Sequence, residues 1–402
     1  MSHSQQGGPP SVEIPTVRLD EKSLMEEAMK NTGLSDFGEE SFLEGFRRLL
    51  DSFENEGRFT AIGRLIAHGV VLRNLENRLT VTEDWKHYPE MGREEIANPI
   101  FVVGLPRTGS TILHDLLARD PGNRVPLTWE CHSPSPPPER ATYETDPRIA
   151  ECDEYLAQTS GTLIPEFQAI HPMGALLAQE CVMLQAHDFT SIIFAHQFRI
   201  PSYQAWVEST DLSSVYATHR RQLQFMQWRC PGERWVLKSV GHLWGLDRLF
   251  ETYPDARVVM THRDPLKLIA SHASLVSMAR SMGSDEVDRD EIGREWSESW
   301  ESAMRKGIEF RRSGEADASR FFDMHFADLL RDPVAMVRRI YAHFGLELGD
   351  EAEGRMGRFL AENPQGKHGK HAYTLEQFGL DRATERERFR FYQEYYGVET
   401  ED

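Results

Sequence analysis

Asn98-Pro99-Ile100-Phe101-Val102-Val103-Gly104-Leu105-Pro106-Arg107-Thr108-Gly109-Ser110-Thr111 passes from a short apolar run into a glycine loop. Pro99 to Val103 has the length and composition of a buried strand. After the loop, Thr111 to Arg119 sets Ile112, Leu113, Leu116 and Leu117 on one helical face, and Asp120-Pro121-Gly122 stops it. Strand, tight loop and helix in that order open an α/β nucleotide-binding domain. Gly104 and Gly109 let successive backbone N–H groups converge, and the following helix adds its N-terminal amides and dipole. The result is a cradle for a phosphate or a sulfate.

The same loop also excludes a chemistry. A Walker-type nucleotide triphosphatase needs lysine where Ser110 stands, followed by a hydroxyl that holds magnesium. Here the loop's cation is Arg107, and no apolar strand ending in a bare Asp offers a second metal ligand. The expectation is anion binding without the lysine–magnesium apparatus of phosphoryl transfer, and no required metal.

Outward from the loop, strand and helix signals alternate. Trp235 to Leu237 reads as a strand, Leu243 to Tyr253 as a helix closed by Pro254, and Arg257 to Thr261 as another strand. Asp264-Pro265 caps a helix to about Met278, and Asp332-Pro333 opens one that ends at Gly345. Ser281 to Glu291 is acidic and polar, a surface loop, and the proline-rich Gly122 to Thr145 is an extended one. The pattern predicts an α/β fold: a P-loop-like, mostly parallel sheet flanked by helices. Before it, residues 1–17 form a polar, mobile tail, and 18–97 a helical N-terminal region with Phe42, Phe46, Leu49, Leu50 and Phe53 at helical spacing. The α/β domain spans 98–395 and carries a helical, aromatic-rich insertion at about 150–230; its aromatics are expected chiefly in the core, with an apolar acceptor pocket as their other use.

Composition narrows the partners. With 45 Lys and Arg against 64 Asp and Glu, the net charge of −19 speaks against nucleic acid, which is bound by an excess of cations. It does not speak against an anionic small ligand held by local cations and amides. Four scattered cysteines form neither a disulfide framework nor zinc spacing, so reduced buried thiols are expected. The N-terminus lacks signal-peptide blocks and no apolar run is long enough to span a membrane, which points to a cytoplasmic protein. A homodimer is one arrangement open to it.

Gly-Leu-Pro-Arg-Thr-Gly-Ser-Thr at 104–111 resembles the 5′-phosphosulfate loop of sulfotransferases that use 3′-phosphoadenosine 5′-phosphosulfate (PAPS), in the Pro-Arg branch of tyrosylprotein sulfotransferases and many bacterial enzymes. A second block matches independently: Leu237-Lys238-Ser239, Tyr253 to Val259, His262-Arg263-Asp264-Pro265 and Ser271. The resemblance covers roughly 98 to 395. It implies that Arg107, Thr108, Gly109, Ser110 and Thr111 hold the 5′-phosphosulfate, that Arg263 and Ser271 grip the 3′-phosphate, and that Lys238 serves the sulfuryl or bridging oxygen. Where related bacterial sequences read Lys-Ser-Pro, this chain has Val240 after Ser239, which alters the turn and keeps the lysine.

Sulfuryl transfer needs a base for the acceptor hydroxyl and cations near the leaving phosphate. Arg107 and Lys238 are the cations. Glu130 resembles the general base of tyrosylprotein sulfotransferases, with His132 and His171 as competitors because cytosolic enzymes use histidine. Glu180 is expected to position the acceptor or the fold. Lys367 and Lys370, in Lys367-His368-Gly369-Lys370-His371, form a basic glycine segment able to close over the 3′-phosphate. The function implied is transfer from PAPS to a hydroxyl of a small molecule, lipid or sugar by in-line displacement, the sulfonated product being final or eliminating further. A P-loop kinase and a non-catalytic nucleotide-binding protein of the same fold are the alternatives.

Overall fold

The computed structural model describes residues 17–159, 173–364 and 373–401; the expected tail up to residue 16 lies outside them. The apolar run before the loop is β1 (Ile100–Gly104), buried along its whole length. It pairs in parallel with β3 (Arg234–Lys238) on one side and β4 (Arg257–His262) on the other. β2 (Asn123–Arg124) adds to β3 and β5 (Phe321–His325) adds to β4, so the order is β2-β3-β1-β4-β5, parallel throughout. A parallel sheet covered on both faces requires apolar side chains on both, which is why β1 and β4 read as unbroken runs rather than alternating ones.

The helices that matter for the site are α1 (Glu21–Thr32), α2 (Phe42–Glu56), α3 (Ala61–His87), α4 (Ser110–Leu117), α5 (Thr128–His132), α6 (Pro147–Gln158), α7 (Cys181–Ala186), α8 (Pro265–Ser281), α9 (Arg382–Arg388) and α10 (Arg390–Tyr396). Side-chain alternation divides the core in two. Ile100, Val102, Val236 and Val259 face Leu113, Leu116 and Leu117 of α4 and Met336, Val337 and Ile340 of the helix Pro333–His343. Phe101, Val103, Leu237, Val258 and Met260 face the opposite layer, whose core includes Leu24, Phe46 and Leu75 of α1 to α3. Phe42 and Phe46 pack on Phe189 at ring separations of 6.0 and 4.9 Å, joining α2 to the segment after α7. No described helix is long and apolar enough to cross a membrane.

Three local readings change. The expected helix Leu243 to Tyr253 is a 3-10 turn Val240–Trp244 and a helix Leu246–Thr252, broken at Gly245, which packs against Leu212 and Tyr216. The proline-rich stretch is not wholly a loop, because it holds β2 and α5 around the buried Arg124 and Glu130. The supposed loop Ser281 to Glu291 already turns helical at Arg289. Edge strand β5, Phe-Phe-Asp-Met-His, carries too much polarity to stand out in the sequence. Phe189, Phe194, Phe198, Tyr203, Tyr216 and Phe225 of the insertion are core residues; Phe167 lies outside the described residues.

Candidate active site

The carboxyl ends of β1, β3 and β4 meet where the sheet order switches sides of β1, the place open α/β sheets reserve for ligands. Gly104 ends β1 at φ 152, and a Cβ there would run into the Thr261 hydroxyl on β4. Gly109 opens α4 at φ 85, with Phe326 and Leu329 only 2.8 and 2.9 Å from where its Cβ would be. Glycine is therefore required at both ends of the loop. Between them Arg107 takes a left-handed φ of 64, unusual for a side-chain-bearing residue and common where function holds a backbone in place. Thr108 is turned inward: its hydroxyl donates to the Leu105 carbonyl at 2.7 Å and meets the Thr261 hydroxyl at 2.5 Å. Its hydroxyl is thus committed inside the loop, whereas Arg107 is an exposed residue. Burial and the neighbouring Arg263 both push Arg107 below the ordinary arginine value, although the residue as a whole is exposed.

Lys238 closes β3 beside Val102 of β1 and is 5% exposed. Its ammonium donates to Glu180 Oε1 at 2.6 Å and to Thr111 Oγ1 at 3.0 Å. A carboxylate, an ammonium and a hydroxyl of the anion loop therefore meet at one point. Glu180 precedes α7 on a segment tied to the start of α5: Gln179 N–H donates to Pro126 O at 2.8 Å, Thr128 N–H to Leu177 O at 3.0 Å, and Leu127 bridges Ala178. Asp115, one turn beyond Thr111, is half-buried; burial raises its carboxyl, against the pull of Arg119 and Lys238. His114 is pushed down to about 4 by burial and Lys238, so its neutral ring donates from Nε2 to the Val236 carbonyl at 3.2 Å.

Glu130 lies inside the fold. It is 1% exposed and accepts from Arg124 Nη2 at 2.5 Å, Arg124 Nη1 at 3.1 Å, the Leu127 N–H at 2.9 Å and the Tyr143 hydroxyl at 3.0 Å. Burial works against the charge on Arg124, but Glu130 and Tyr143 outweigh it and hold the guanidinium above its usual value. Its oxygens are thus committed to four donors, which tie α5 to Arg124 and Tyr143. His132 is engaged as well, against Arg73 and, at 3.0 Å, the Ser133 hydroxyl; burial and Arg73 push it down to about 3. His171, like Lys367 and Lys370, lies outside the described residues.

On the other side of the loop, Asp264 caps α8 by accepting from the Leu266 N–H at 3.1 Å. Arg263 stands just before that cap and Ser271, half-buried, lies two turns along the helix. Arg263 Nη1 donates to the Arg107 carbonyl at 3.2 Å, its guanidinium lies over the Phe326 ring at 4.2 Å, and its remaining edge holds Glu401. Two guanidiniums and a helix N-terminus thus converge on one cleft. Arg107, Lys238 and Arg263, singled out in the sequence, lie at the carboxyl ends of β1, β3 and β4; the pairing of Lys238 with Glu180 and the approach of Glu401 had no signal there. Among the described residues, no three His, Cys, Asp or Glu side chains are arranged to hold a metal.

Three proteins to which the chain is similar are sulfotransferases by name. The structure is similar to that of the sulfotransferase STF1 from Mycobacterium tuberculosis H37Rv, 33% identical over 92% of this chain and 98% of that one, with a TM-score of 0.81. It is similar also to the sulfotransferase STF9 from Mycobacterium avium, 28% identical over 96% of this chain and 98% of that one, with a TM-score of 0.85. In sequence, the chain is 26% identical over 291 residues to the omega-hydroxy-beta-dihydromenaquinone-9 sulfotransferase Stf3 of Mycobacterium bovis, covering 69% of this chain and 71% of the relative. The sulfotransferase family model matches residues 99–350, and the chain is a sulfotransferase enzyme of that family.

Proposed function

We propose that the enzyme moves a sulfuryl group from PAPS to the hydroxyl of a small-molecule acceptor, with Glu180 rather than Glu130 as the base. The observation that carries this reading is the Lys238 ammonium held between Glu180 and Thr111. The residues fit the donor: converging N–H groups of the loop and α4 suit its phosphosulfate, Arg107 faces the same cleft, and Arg263 with Ser271 suits a phosphate along α8. The donor supplies an activated sulfur whose bond to the phosphate oxygen breaks as the bond to the acceptor oxygen forms. Lys238 neutralises the charge that grows on the bridging oxygen, in a site where water is largely excluded. Glu180, 2.6 Å from that ammonium, is the carboxylate that takes the acceptor's proton. Substrate and base need not compete for Lys238, since an ammonium has three N–H donors. The acceptor of Stf3, by its name a hydroxylated dihydromenaquinone, supports an acceptor of the same class, a small molecule with a hydroxyl, for this chain.

The test is Glu180→Gln. Calorimetry with 3′-phosphoadenosine 5′-phosphate (PAP) should give the wild-type affinity within about twofold, while transfer from PAPS falls by about 10²–10⁴-fold, the usual contribution of a positioned base. Full activity in Glu180→Gln would eliminate Glu180 as base. Failure of the wild type to bind PAP at near-millimolar concentration would eliminate the donor.

A further inference from the structure

The strongest feature outside the reaction itself is the turn that follows α10. The chain reverses at Gly397 (φ 64), Val398 N–H donates to Gln393 O at 2.9 Å, and the Gln393 amide returns a bond to Val398 O at 3.2 Å. Glu401 N–H then donates to Asp264 Oδ2 at 2.8 Å, and Asp264 is itself gripped through both oxygens by Arg386 of α9 at 2.7 and 2.9 Å. These anchors lay the Glu401 carboxylate along one edge of Arg263, with Nε at 2.9 Å from Oε1 and Nη2 at 2.9 Å from Oε2. This is the bidentate fork with which arginine also holds a phosphate.

We propose that Glu401 is a placeholder for the donor's 3′-phosphate: its carboxylate occupies Arg263 until the nucleotide arrives, and the donor enters by exchanging one anion for the other. The proposal rests on the donor reading above. Charge balance favours exchange over addition. The Glu401 carboxylate already neutralises Arg263, and a phosphate dianion added beside it would leave three negative charges facing Arg263 and Arg107. Leaving is easy for the carboxylate, because the Glu401 side chain is 37% exposed and pairs of that kind are weak. Arg263, by contrast, stays put: the Phe326 ring and the Arg107 carbonyl hold it from other sides. A nucleotide without a 3′-phosphate has nothing to exchange and meets a guanidinium already satisfied. Glu401 is thereby a specificity residue, one that makes the 3′-phosphate a condition for engaging Arg263.

The experiment is calorimetric titration of the full chain and of its Glu401→Gln variant with PAP and with AMP. Glu401→Gln should bind PAP three- to tenfold more tightly and AMP within twofold of wild type. Amide hydrogen exchange over 398–401 in the wild type should quicken when PAP is added and stay the same with AMP. Unchanged or weaker PAP binding by Glu401→Gln, or slower exchange over 398–401 with PAP, would show that Glu401 holds Arg263 in position rather than its ligand's place; the donor reading would survive that. A wild type that binds no PAP removes the donor reading and the placeholder together.

Discussion

Replacing Glu130 by alanine separates a structural carboxylate from a catalytic one. The substitution deletes an acceptor of four hydrogen bonds at a site with 1% exposure and leaves Arg124 buried behind it. Removing one partner of a buried pair costs about 3–5 kcal/mol. Arg124 keeps the carbonyls of Val125, Met226 and Cys230 and the Trp235 ring at 4.8 Å, so the lower end, about 3 kcal/mol, applies. An unfolding entropy of about 2.1 cal/mol/K per residue over 402 residues converts that into a fall in Tm of about 4 °C. Scanning calorimetry reads the shift, and PAP release from PAPS, measured well below the new Tm, reads the chemistry. The paired variant Arg124→Met with Glu130→Leu should recover much of the loss, because an apolar pair of similar size replaces a buried ion pair at little cost. A Tm lowered by less than about 1 °C together with a transfer rate down 100-fold would refute the reasoning and return Glu130 to the role of base.

Arg263→Ala should weaken PAP about 30-fold or more, the equivalent of about 2 kcal/mol for a lost charge-assisted fork, and leave AMP nearly unaffected; equal losses for both nucleotides would remove Arg263 from the 3′-phosphate. Gly104→Ala forces a Cβ toward Thr261 at φ 152 and should cost about 2 kcal/mol or more in urea unfolding, with weaker PAP binding besides; a neutral outcome would mean that β1 and β4 can spread. Stability should also fall as pH drops from 7 to 5.5. Burial pushes His114, His132, His187 and His219 down to about 4, 3, 4 and 3, helped at His114 by Lys238, at His132 by Arg73 and at His187 by Arg78. Their folded values lie below the unfolded one, so the unfolded chain takes up protons first. The stability they contribute is complete above about 6.5 and is lost below it, at up to about 1.4 kcal/mol per pH unit for each. A Tm that stays flat over that window would contradict their burial as neutral rings.

The strand, glycine loop and α8 were legible because their signals are contiguous. β1 shows itself by being buried on both faces, the loop by its glycines and Arg107, and α8 by Asp264-Pro265 before a run of apolar residues. The surroundings of Lys238 were not, because its contact with Glu180 joins distant segments. Nothing near Glu180 in sequence announces Lys238, 58 residues on; the backbone bonds between 126–129 and 175–179 create that meeting. The setting of Glu130 was hidden in the sequence as well. The resemblance points to it as a base, whereas its contact with Arg124 depends on β2 joining the sheet. Glu401 was equally silent, an acidic residue among 64 until the Gly397 turn sets it on Arg263.

The backbone contact between 126–129 and 175–179 has a consequence for how such an enzyme can change its acceptor. Lys238 is mounted on the sheet, and Glu180 on a seam that is hydrogen-bonded to residues 126–129 around the start of α5. The interval between Lys238 and Glu180 is therefore set in part by backbone hydrogen bonds that are indifferent to the side chains facing outward. With the roles proposed above, substitutions on the far side of that seam would reshape the acceptor's wall and leave Lys238 and Glu180 where they are. Redesign of acceptor range should begin there, and it should treat the buried pair of Arg124 and Glu130 as the foundation that keeps the seam in register.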